Sequence, residues 1–291
     1  MEIRRIVPSG YCKGVINAIN IVKKAREEHA GENIYILGMI VHNSHVTDEL
    51  SKMGIITLDD PLKSKDELLD EIDEGVVIFT AHGIADPIKE KAIAKGLTVI
   101  DATCSDVLKT KELVKDHLDK GYDVIYFGKK KHPEAESILS LSPLIHFITS
   151  KEDIEQLDID NDRIIVTNQT TMSYLELEEM FGLLKEKYPH CIIEKEICNA
   201  TSARQKAVTD IKDGDVLYVV GDVKSNNTSK LATIGRNSFQ NVYLISSKDD
   251  INKKDLTGQD KIYVTAGAST PPKLIDEVLD YLDELAAESL E

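Results

Sequence analysis

Tryptophan is absent from this 291-residue chain and aromatic residues make up only 5 % of it. No apolar run approaches the roughly 20 residues that span a bilayer, so no membrane role is expected. The opening run Met1-Glu2-Ile3-Arg4-Arg5-Ile6-Val7-Pro8 reads as a strand and lacks the apolar stretch of a secretory signal. Cysteine is scarce as well. Four residues are too few for a disulfide scaffold in a chain this long, and reduced thiols in the cytoplasm are the expectation. No Cys-x-x-Cys pair occurs, which excludes a zinc ribbon, a thioredoxin-type redox centre and a ferredoxin-type cluster. Nucleotide fingerprints are missing too, with no P-loop and no Gly-x-Gly-x-x-Gly, and there is no His-Glu-x-x-His pair of a zinc metalloprotease. Nor is there a surplus of basic charge. Fifty-one acidic against thirty-five basic side chains leave a formal charge of -16, a field that repels nucleic acid and anionic membrane surfaces. Any anionic ligand must therefore be held by local donors such as helix N-termini, imidazoles and hydroxyls.

The residues that are present describe a folded protein. Apolar residues make up 42 % and charged residues 30 %, too apolar for disorder. Short β-branched runs at 33–37, 75–79, 124–127, 164–166, 216–220 and 261–264 alternate with helical patterns over 15–30, 107–118, 172–188 and 272–285. Such alternation predicts parallel sheets flanked by helices, an α/β fold. Three cysteines divide the series evenly: Cys12, Cys104 and Cys198 stand 92 and 94 residues apart, each after a strand-like segment and before a helix. A polar site follows each cysteine at a similar offset, at His42, His132 and Asn227, and a third site ends a later strand, at His82, Thr170 and Ser269. Three repeats of about 90 residues are therefore expected, over 14–103, 104–197 and 198–291. Residues 1–13 are expected to pack at the centre or on the third unit. Ligands of open parallel sheets bind beyond the carboxyl ends of the strands, where all nine loops lie, so one central site is predicted.

Three convergent thiolates suit zinc or an iron-sulfur cluster, and they leave a fourth metal position open. Cys191 has no place in the repeat and reads as a core cysteine. The remaining loop residues are His42, His82, His132, Glu134, Thr170, Ser225, Asn227 and Ser269, donors fit for phosphate oxygens with one carboxylic acid among them. Glu134 is the candidate proton donor and Thr170 could relay to it, although a glutamate after Pro133 also suits the first turn of a helix. Lys129-Lys130-Lys131, just before His132, reads as a solvated loop or as a docking point for an acidic electron donor.

These residues resemble the 4-hydroxy-3-methylbut-2-enyl diphosphate reductases, the last enzymes of the non-mevalonate isoprenoid pathway. The resemblance rests, in order, on Gly10-Tyr11-Cys12-Lys13-Gly14-Val15, Val41-His42-Asn43, Ala81-His82-Gly83, Asp101-Ala102-Thr103-Cys104, His132-Pro133-Glu134, Gln169-Thr170-Thr171, Ile197-Cys198-Asn199-Ala200-Thr201, Ser225-Asn226-Asn227 and Ala266-Gly267-Ala268-Ser269. It implies three pseudo-threefold-related α/β units, a trefoil, around a central 4Fe-4S cluster bound by Cys12, Cys104 and Cys198. It also implies a diphosphate held by His42, His82, His132, Ser225, Asn226, Asn227 and Ser269, with Glu134 and Thr170 serving catalysis. The implied reaction removes an allylic hydroxyl with two electrons, from an external donor such as ferredoxin or flavodoxin, and two protons, supplied through Glu134 with Thr170 assisting. Two positions depart from the pattern: Ser105 follows Cys104 where proline is common, and Asn226 replaces a serine. Three other readings compete: a three-cysteine dehydratase or condensing enzyme of the quinolinate synthase type, an iron-sulfur sensor, and a structural zinc site.

Overall fold

The computed structural model describes residues 1–257 and 260–288. Among the described residues there are three four-stranded sheets, every pairing in them parallel, so the expected α/β class with three sheet units is what the chain adopts. Contacts divide the chain into two compact units, the first made of Met1–Ile16, His42–Val46 and the residues from Asn199 onward, the second of Asn17–Val41 and Thr47–Cys198.

The second unit carries two of the sheets. One contains β2 (Ile34–Leu37), β3 (Ile55–Leu58), β4 (Val76–Phe79) and β5 (Thr98–Asp101) in the order β3-β2-β4-β5. The other contains β6 (Asp123–Phe127), β7 (Ile145–Ile148), β8 (Ile164–Asn168) and β9 (Ile192–Ile193) in the order β7-β6-β8-β9. In the first unit, β10 (Val216–Val220), β11 (Asn241–Ile245) and β12 (Lys261–Ala266) are completed by the N-terminal strand β1 (Glu2–Arg5), in the order β11-β10-β12-β1. The three orders are the same. Where the first two sheets take their fourth strand from the chain that follows, the third takes its own from residues 2–5, which pair with 261–264.

The connecting helices are α1 (Lys13–Glu28), α2 (Ser44–Lys52), α3 (Lys65–Asp70), α4 (Asp86–Ala94), α5 (Ser105–Asp119), α6 (Pro133–Leu139), α7 (Lys151–Gln156), α8 (Tyr174–Lys187), α9 (Asn199–Thr209), α10 (Asn226–Gly235) and α11 (Pro272–Glu288). Alternate strand residues point to opposite faces, so each inner strand feeds two layers of core. On one face of the β10-β12 sheet Val216, Tyr218, Val220, Ile262 and Val264 pack on Ile275, Val278 and Leu282 of α11. On the other, Leu217, Val219 and Tyr263 meet Val208, Leu231 and Ala232 of α9 and α10. The β6-β8 sheet repeats the scheme, with α8 on one side and α5 and α6 on the other. Cys191, 3 % exposed, belongs to the α8 layer, which makes it a packing residue. Among the described residues no helix is long and apolar enough to cross a membrane.

One close approach fixes the loop after β12 against the start of α10. A methyl group on Gly267 would lie 1.9 Å from Thr228 Oγ1 and 3.0 Å from its Cβ, whereas Gly182, inside α8, has open space at the same position. Gly267→Ala is therefore expected to lower stability by about 1–3 kcal/mol, since overpacking outweighs the few tenths gained from a stiffer unfolded chain. Gly182→Ala should instead add up to about 1 kcal/mol of helix propensity. Denaturant midpoints of the two variants check the contrast.

Candidate active site

The cysteines of the repeat share one local geometry. Each immediately precedes a helix: Cys12 before α1, Cys104 before α5 and Cys198 before α9. Each donates its backbone N–H to a carbonyl in the loop after the third strand of its sheet. Cys12 bonds Ala268 O at 3.0 Å, Cys104 bonds Ala81 O at 3.0 Å and Cys198 bonds Thr170 O at 3.2 Å. None of the three is disulfide-bonded and all are partly exposed. A helix N-terminus offers unpaired N–H groups and the positive end of the helix dipole, a setting that favours anionic sulfur. At α1 one such donor is already aimed: Val15 N–H points at Cys12 Sγ across 3.4 Å.

In the first unit the polar loops gather around α10. Ser225 caps this helix, its hydroxyl accepting from Thr228 N–H at 3.3 Å, and Asn226 and Asn227 form the first turn, each 4 % exposed. Both ends of the Asn227 amide are buried without a hydrogen-bond partner. Each group left so costs about 1–3 kcal/mol, which marks the spot as shaped for a polar ligand. Ser269 Oγ donates to His42 O at 2.9 Å, fixing the loop after β12 to the segment just before α2.

The second unit holds His82, His132, Glu134 and Thr170. The His82 and His132 rings meet edge to face with centroids 5.4 Å apart. His132 caps α6, and its Nδ1 accepts from Glu134 N–H at 3.2 Å, so the imidazole proton resides on Nε2. Glu134 is 1 % exposed. Its carboxyl accepts from Thr170 N–H at 2.7 Å and from Thr170 Oγ–H at 3.0 Å. Burial nevertheless outweighs these bonds and pushes the Glu134 acid up to about 7. A carboxylic acid that retains its proton near neutrality, held in one orientation by two bonds, is equipped to donate it.

A family model described as LytB protein matches residues 3–283. The chain belongs to the LytB family. Two curated relatives, from Anoxybacillus flavithermus (strain DSM 21510 / WK1) and Geobacillus sp. (strain WCH70), are each 47 % identical over 288 residues, covering 98 % of this chain and 91 % of the relative. Both are named 4-hydroxy-3-methylbut-2-enyl diphosphate reductase. A solved structure of the E-1-hydroxy-2-methyl-but-2-enyl-4-diphosphate reductase from Plasmodium falciparum superposes with a TM-score of 0.90 at 30 % identity, covering 97 % of this chain and 87 % of that one.

The two departures from the expected motifs are mild in this member of the LytB family. Ser105 is the first residue of α5, a position that proline also tolerates, so either residue lets the helix begin after Cys104. Asn226 is likewise the first residue of α10, directly after the Ser225 cap, so the helix begins at the same point with either residue. Two buried residues escaped the sequence reading. Tyr126, on β6, faces Glu134 with its phenol pushed well above the ordinary tyrosine range, first by burial and then by that carboxyl. Arg204 is 4 % exposed on α9. Tyr126 looked like one more apolar member of a strand. Arg204 lies six residues beyond Cys198, outside every motif, although an arginine in the second turn of a helix that starts at a ligand-type cysteine was a usable signal.

Proposed function

We propose that the chain is a 4-hydroxy-3-methylbut-2-enyl diphosphate reductase. The allylic alcohol gains two electrons and two protons, its C–O bond breaks, and the oxygen leaves as water, giving isopentenyl and dimethylallyl diphosphate. The observation that carries this reading is the threefold repetition of a cysteine at a helix N-terminus with its amide fixed on the loop after the third strand of its own sheet. The donor set is all sulfur, which fits a 4Fe-4S cluster on Cys12, Cys104 and Cys198. Bound there, a cluster supplies electrons and one iron position that no protein side chain fills.

The chain's own residues do the rest. His42, His82, His132, Ser225, Asn226, Asn227 and Ser269 hold the diphosphate, the Asn227 Nδ2–H donating to a phosphate oxygen the bond that it lacks within the protein. Imidazoles, amides and helix N-termini recruit this anion locally against an overall charge of -16. Glu134 gives up a proton and Thr170 keeps its carboxyl oriented. We read the domains as the repeats 14–103, 104–197 and 198–291, with 1–13 added to the third through the pairing of β1 with β12. Electrons come from a soluble carrier of the ferredoxin or flavodoxin type in the cytoplasm.

The test is iron and sulfide content of anaerobically prepared protein, followed by turnover of the allylic diphosphate with a chemical reductant. The expected result is a brown protein with about four irons per chain whose product formation stops without reductant. A colourless zinc protein would rule out the cluster. A brown protein that leaves the alcohol unreduced would point instead to a dehydratase of the quinolinate synthase type.

A further inference from the structure

Burying an ion is costly unless its hydrogen-bonding capacity is met, and arginine keeps its charge at any physiological pH. Arg204, 4 % exposed, is such an ion. Its Nη1 donates to Ala200 O at 2.8 Å and its Nη2 to Gly10 O at 2.5 Å. Ala200 lies in the first turn of α9, the helix that follows Cys198, and Gly10 lies two residues before Cys12. Gly10 is itself held in a conformation that only glycine adopts freely, at φ +79°, and a methyl group there would come within 2.9 Å of Ile275 Cδ1 and 3.4 Å of Thr270 O. Two residues further on, Cys12 N–H is fixed to Ala268 O at 3.0 Å. The segment that carries Cys12 is thus pinned on one side by a buried cation and on the other by the loop that carries Ser269.

We propose that Arg204 is the positioning residue for the Cys12 segment, its guanidinium fork coupling the placement of Cys12 to the start of the helix that follows Cys198. This deepens the reading of Cys12, Cys104 and Cys198 as cluster ligands and rests on it. The fork explains the choice of residue. Two N–H groups at a fixed separation reach two carbonyls at once, which the single ammonium of lysine does not.

Two measurements test it with Arg204→Gln and Arg204→Lys. In metal-free protein, hydrogen exchange of residues 9–16 is expected to rise at least about tenfold in Arg204→Gln, since hydrogen bonds to a charged donor are lost, while β10 and β12 exchange as in the parent protein. In cluster-loaded protein, release of iron to a chelator should accelerate by a similar factor, with Arg204→Lys in between. Unchanged exchange in 9–16 would overturn the proposal, and so would a rise spread evenly over β10 and β12, which would make Arg204 a general packing residue. If Arg204→Gln does not fold, Arg204→Lys decides by the same criterion. Because the exchange measurement needs no metal, a parent protein that takes up no iron would refute the cluster and leave the test of Arg204 standing.

Discussion

Serine in place of Cys104 is expected to leave a folded protein that takes up less than about one iron per chain, lacks the visible absorbance and turns over less than about a thousandth of the substrate. Changing a group that merely hydrogen-bonds a metal ligand already costs about 10- to 100-fold in affinity or activity. Removal of one of the three proposed ligands should cost more, because a serine hydroxyl does not ionise near neutrality as a thiol can. The fold survives because its use of Cys104 is backbone: the N–H bond to Ala81 O and the position just ahead of α5, which serine caps better than cysteine. The same outcome is expected at Cys12 and Cys198. Cys191→Ser reverses it. That side chain lies in the apolar layer with Leu177, Phe181 and Leu184, so a hydroxyl there costs about 1–3 kcal/mol of stability while iron content and activity persist. Iron analysis and denaturant unfolding of the four variants separate the roles. Iron retained in Cys104→Ser, or lost in Cys191→Ser, would sink the assignment.

The strands that sequence reading located are informative in their selection. Beyond the N-terminal run, the six strand-like segments fall on β2, β4, β6, β8, β10 and β12, the inner pair of each sheet. Inner strands of a parallel sheet are covered on both faces, so their residues form unbroken apolar runs such as Val216-Leu217-Tyr218-Val219-Val220, all buried. The strands that went unread, β3, β5, β7, β9 and β11, are outer ones with partly exposed residues, as in Thr98-Val99-Ile100-Asp101, and polar side chains interrupt the signal. The site followed the same logic. Cysteines and histidines at strand ends announce themselves by residue type and spacing, and the family resemblance they suggested is borne out by the match over residues 3–283. Tyr126 and Arg204 act through burial, and burial is set by packing that spacing along the chain does not encode.

The equality of strand order has a consequence for the N-terminus. Since β1 supplies the fourth strand of the β10-β12 sheet, Cys12 stands to β1 as Cys104 stands to β5 and Cys198 to β9. Residues 2–5 thus hold in the third sheet the place that β5 and β9 hold in the other two.

Glutamine in place of Glu134 is expected to give a protein that is nearly inactive and, above neutral pH, more stable than its parent. Glutamine has the same shape and satisfies the same neighbours, its oxygen accepting from Thr170 N–H and its NH₂ donating to Thr170 Oγ. Iron content and KM should therefore hold, while kcat falls by about 10²–10⁴, the usual worth of a positioned acid. The sign of the pH effects follows from the shift. Folding raises the Glu134 acid from 4.5 to about 7, so the folded protein binds this proton more tightly than the unfolded chain does. The resulting stability is fully present below pH 4.5 and is lost as pH rises through about 7. At about 1.4 kcal/mol per pKa unit, the loss amounts to about 3 kcal/mol. Glu134→Gln carries no such titration, so the two proteins should differ in stability far more at pH 8 than at pH 4.5. Turnover of the parent should fall about tenfold per pH unit above 7 with reductant in excess, because a general acid acts only while protonated. Rates from pH 5.5 to 9 and unfolding at the two pH values provide the check. A variant that retains the parent's kcat would remove Glu134 from the proton path, whereas one that loses activity without gaining stability at pH 8 would show that the carboxyl is already ionised in the folded protein and accepts protons rather than storing them.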